Sequence, residues 1–188
     1  MTRKEAMEYN DALKTEMEQV ALRYGFEESV GSRIVDNYII VLPEDARRGM
    51  IFLGKNSVSY KLGNIKIDLK NIIEAGFEFV VSINTPESIF DYIQLVIVSI
   101  LFIQKRTKKI LNSTEAYIVY LLHKKDAYKI CIEEQRFISE LQDLYQKEKG
   151  EFVDSDTIIN ALNNLYKMKI IDSDNGKIYL KEFVWGKV

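Results

Sequence analysis

The side chains best suited to chemistry are few and lie far apart along the chain. There is one histidine, His123, and one cysteine, Cys131. A lone imidazole works as a general base, and a lone thiol as a nucleophile, only with a partner beside it. His123 stands next to Lys124 and Lys125 where a helix should end, with no Ser or Cys motif near it, and reads as a helix-terminus residue. Cys131 sits in the apolar run Ile130-Cys131-Ile132 and reads as a small core residue of a strand. Glu74 and Glu78 share one face of a helix at four-residue spacing, and Glu133-Glu134 open another helix. Paired carboxylates can move protons or hold a cation, but without a third ligand they read as a solvated face. Gly54-Lys55-Asn56-Ser57 lacks the preceding glycine of a phosphate-cradling loop. These readings lead to a non-enzymatic protein with no cofactor and no metal.

The chain that must position these groups has 188 residues, 47% of them apolar and 29% charged, with 2 prolines and 9 glycines. That is the balance of a globular protein with room for one medium domain or two small ones. A single cysteine permits no internal disulfide, and a cytoplasmic location is expected. The first ten residues are charged and polar, so no secretory signal is expected there. The longest uncharged stretch, residues 92–104, is too short for a membrane span, which needs about 20 apolar residues. Abundant Lys, Ile and Asn suggest an AT-rich bacterial or phage genome. Residues 1–104 hold 11 basic and 15 acidic side chains, whereas residues 105–188 hold 15 and 13. The balance changes sign at Lys105, Arg106, Lys108 and Lys109, and this marks a boundary between two subdomains.

In the first part, Ala6, Tyr9, Leu13, Met17, Val20 and Tyr24 recur at helical spacing and predict a helix over residues 3–24. Its apolar stripe packs either on its own domain or, through Tyr9, Leu13, Met17 and Val20, on a second copy in a homodimer. Residues 33–42, 50–53, 58–62 and 65–69 read as short strands of an antiparallel meander. Residues 69–83 fit a helix over the longer window, although 77–83 alternate like a strand. Thr85-Pro86-Glu87 is a helix start, and the helix that follows, to about residue 104, is apolar nearly all round. It is either the centre of this subdomain or part of a subunit interface.

The second part reads as a helix from Ser113, a short strand over residues 128–132, and helices over residues 133–147 and 157–169. A two-stranded hairpin turning at Asn175-Gly176 ends the series. Leu162, Leu165, Ile170 and Ile171, followed by the Asn175-Gly176 tip and Ile178-Tyr179-Leu180, give a pattern that resembles the winged helix-turn-helix superfamily over about residues 110–184. The expected fold class is therefore α+β: an N-terminal helix, a small meander and apolar helices over residues 1–104, then a winged-helix domain over residues 105–188. The first 104 residues would serve oligomerisation or partner binding.

Winged helices bind DNA or protein. In the DNA-binding case the third helix enters the major groove. Here its polar face would carry Thr157, Asn160, Asn163, Asn164 and Lys167, and asparagine can pair with adenine through two hydrogen bonds. Lys105, Arg106, Lys108 and Lys109, then Lys124 and Lys125, and Lys177 and Lys181 on the hairpin are candidates for phosphate contacts. The Asn-bearing face favours a small DNA-binding regulator. The overall charge of −2 and the absence of Arg from the third helix favour an adaptor that docks on protein in a larger assembly.

Overall fold

The computed structural model describes residues 2–43, 63–83, 87–104 and 113–186, and within them the fold is mixed α+β. Helix α1 (Arg3–Arg23) starts at a reciprocal cap. The Glu5 amide donates to Thr2 Oγ1 at 3.3 Å, and the Thr2 amide donates to Glu5 Oε2 at 2.7 Å. It ends with the Phe26 amide donating to the Ala21 carbonyl and the Gly25 amide to the Leu22 carbonyl, so the last carbonyls are satisfied.

Residues 28–38 are helical, α2 (Glu28–Tyr38), and only Ile39–Val41 form a strand, β1. This overturns the strand expected over residues 33–42. Val30, Gly31, Ile34 and Val35 are buried at helical spacing while Arg33, Asp36 and Asn37 face solvent. The β-branched residues fill a helix–helix contact, and packing overrides their strand preference. Gly31 makes that contact possible: a Cβ there would lie 2.3 Å from the Met17 carbonyl.

Where it is described, the expected meander pairs differently. Strand β2 (Ile65–Asp68) pairs antiparallel with β1 on one side and, on the other, with the last strand of the chain, β6 (Phe183–Gly186). Ile39, Ile67 and Val184 form one buried row across the three strands. The strands expected over residues 50–53 and 58–62 lie outside the described residues. Helix α3 (Leu69–Ile83) follows β2 directly, as the longer sequence window predicted, and Asp68 Oδ1 accepts the Asn71 amide at its start. Helix α4 (Glu87–Ile103) is the all-round apolar helix. It contacts α1, α3, β6 and α5 (Ser113–Lys124), so most of its apolar surface is covered inside the chain, while Phe102 stays exposed. Thr85 and Pro86 lie outside the described residues.

Beyond α5 come β3 (Ile132–Glu133), α6 (Glu134–Lys149), α7 (Ser155–Lys167), β4 (Ile171–Asp174) and β5 (Lys177–Leu180). The second sheet has the order β3-β5-β4, antiparallel throughout. Asn175 and Gly176 both take positive φ, 49° and 74°, the geometry of a tight hairpin turn and the reason this dipeptide is placed there. The strand expected over residues 128–132 shrinks to β3, because residues 125–130 form turns. Cys131 is consequently exposed, a correction to its reading as a core residue. One continuous apolar cluster runs from Leu13 to Val184, and α5 is its shared wall, packed on α4, α7 and β5.

Candidate functional site

Helix α7 is fixed from its start. The Asp154 carboxylate accepts the Thr157 amide at 2.7 Å and the Thr157 hydroxyl at 2.9 Å, and these bonds hold Asp154 below the usual carboxylate range. Val153 and Ile158 are buried on either side of this cap and fix the entry of the chain. Ile158, Ala161, Leu162 and Leu165 turn inward, as their spacing predicts. The opposite face presents Asp156, Asn160, Asn163 and Lys167 to solvent, with Ile159 on one flank, 42% exposed.

Two expected face residues are placed elsewhere. Thr157 is half-buried and belongs to the cap. Asn164 is three residues from Ala161, at the edge of the buried stripe, and its amide donates to Glu115 Oε1 on α5 at 2.7 Å. Glu115 itself is buried, and Asn164 is part-buried against it.

Only some of the basic candidates fall within the described residues. Lys105, Arg106, Lys108 and Lys109 lie outside the described residues. Lys177 is exposed on β5, but its cross-strand neighbours are Glu133 and Asp174. Lys181 pairs with Asp172 at 2.8 Å and holds that carboxyl below its usual range. Lys125 pairs with Glu140, and Lys124 stands over the Tyr120 ring.

The stripe on α1 is spent within the chain. Leu13 and Met17 are 1% exposed and Val20 8%, packed against α2, while Tyr9 is half-buried. Leu13, Met17 and Val20 keep little surface for a second copy, whereas Tyr9 keeps part of its ring exposed.

Two features were not expected. Phe152, just before the α7 cap, is 72% exposed, and Ile159 breaks the apolar period of α7. For Ile159 the signal was present, since it is off the stripe; for Phe152 no period marked it. His123 does end α5, but it also stacks on Phe77 of α3, ring centres 4.8 Å apart, and its Nδ1 lies 2.8 Å from the Tyr128 hydroxyl. Burial pushes His123 below its ordinary value. Glu74 pairs with Lys70 one turn away. Among the described residues no group of three or more His, Cys, Asp or Glu side chains could hold a metal ion, and no helix is long and apolar enough to cross a membrane. No family model matches the chain, and no curated protein or solved structure is significantly similar to it.

Proposed function

We propose that residues 105–188 form a winged helix-turn-helix unit and that the protein is a small, non-enzymatic DNA-binding regulator. The order α5, β3, α6, α7, β4, β5 and the sheet order β3-β5-β4 support the unit. In this reading α7 enters the major groove and the β4–β5 hairpin is the wing. The observation that carries it is the pair Asn160 and Asn163, side by side on the exposed, uncharged middle of α7. Phosphate contacts fall to Lys177 and the run Lys105, Arg106, Lys108 and Lys109, because Lys125 and Lys181 are held by carboxylates. Residues 1–104 supply the second half, tied to the unit by β6. Fluorescence anisotropy with the protein's own upstream DNA and a scrambled duplex, at low and moderate salt, tests the reading. Binding must fall with salt. No binding to either duplex at low salt removes it.

A second reading, an adaptor docking on protein, is favoured by the exposure of Phe152 and Ile159 beside the carboxylates of Asp154 and Asp156. Exposed apolar groups next to acidic ones suit a basic, apolar protein surface better than a phosphate backbone. Affinity purification with and without Phe152→Ser distinguishes it: a protein that co-purifies only with the unsubstituted chain, in the absence of DNA binding, supports the adaptor.

A further inference from the structure

Resting on the DNA-binding reading, we infer that α7 selects A·T base pairs. An asparagine amide offers one donor and one acceptor in a plane. Adenine presents the complementary pair in the major groove, acceptor N7 and donor N6, whereas guanine presents two acceptors. Asn160 and Asn163 are three residues apart on one exposed face, about 4.5 Å along the helix axis, which suits neighbouring base pairs about 3.4 Å apart. Ile159 adds an exposed apolar side chain on the flank of that face. The apolar group on the floor of the major groove is the thymine methyl.

The remaining residues disfavour guanine. The residues that pair with its two acceptors are Arg and Lys, and the first three turns of α7 contain neither. Asp156 is an acceptor alone and meets guanine's acceptor edge with repulsion. Asn164, a third amide of the same type, is part-buried against Glu115, and this bond also ties α7 to α5.

The test is selection by the full-length protein from a random duplex library at low salt, followed by anisotropy on the enriched duplex. An enriched core of A·T pairs is expected. Replacing its adenines with 7-deazaadenine removes N7 and should weaken binding about 5- to 150-fold per contacted base. Replacing thymine with uracil removes the methyl and should weaken binding less. Asn160→Ala and Asn163→Ala should each lose the sensitivity to 7-deazaadenine at one position while circular dichroism stays unchanged. Enrichment of G·C pairs, or equal binding to every duplex, overturns the inference and leaves DNA binding standing. No retention of any duplex overturns both.

Discussion

Asn164 on α7 donates its side-chain amide to the buried carboxyl of Glu115 on α5, across 2.7 Å. One polar contact therefore ties the third helix of the C-terminal half to the wall that it shares with the N-terminal half. Asn164→Ala should cost about 1–3 kcal/mol, the range for a buried hydrogen bond to a carboxyl group. Asn160→Ala, on the exposed face, should stay within about 0.5 kcal/mol. Urea denaturation of the two variants measures both, and equal effects would mean that the contact is not formed.

A charge placed on the α1 stripe should unfold the protein and not dissociate a dimer. Leu13 and Met17 are packed against α2, so Leu13→Glu buries an unpaired carboxylate. Leu22→Glu alters an exposed residue of the same helix and should leave the fold intact. Sedimentation together with circular dichroism decides: a folded Leu13→Glu monomer derived from a wild-type dimer would contradict this.

Gly31→Ala should loosen the crossing of α1 and α2. The added Cβ meets main chain at 2.3 Å, which cannot move aside as a side chain tip would. The expected loss is about 1–3 kcal/mol, read from the thermal midpoint.

The single histidine should make stability depend on pH. Burial lowers the His123 imidazole below its ordinary value of 6.5, Lys70 lowers it further, and Glu74 and Asp126 oppose. As pH falls through about 6.5 the unfolded chain takes up a proton that the folded chain does not, so stability present above that value is lost on acidification. Thermal melts between pH 8 and pH 5.5 should show a smaller drop for His123→Gln than for the wild type. Parallel curves would count against it.

Strand β6 should behave as a clasp between the halves. Its Val184 is buried against β2, so a fragment of residues 108–188 carries a strand whose partner is missing. Residues 108–182 should be the more soluble fragment, measured by concentration-dependent light scattering.

Several features were legible in the sequence because their causes are local. The inward face of α7 follows from the spacing of Ile158, Ala161, Leu162 and Leu165, and the hairpin from the positive φ that Asn175 and Gly176 tolerate. The length of α3 followed from a period that outlasted the alternation of residues 77–83. What tertiary structure decided depends on residues far apart in the chain. Val30, Ile34 and Val35 are helical because α1 packs on them, its main chain at Met17 coming close to Gly31 of α2, and no local preference could report that neighbour. β2 finds its second partner more than a hundred residues away, in β6. Asn160, Asn163 and Asn164 are chemically identical in the sequence. The apolar stripe puts the third at its edge, and Glu115 on a separate helix gives that amide a buried partner while the other two stay at the surface.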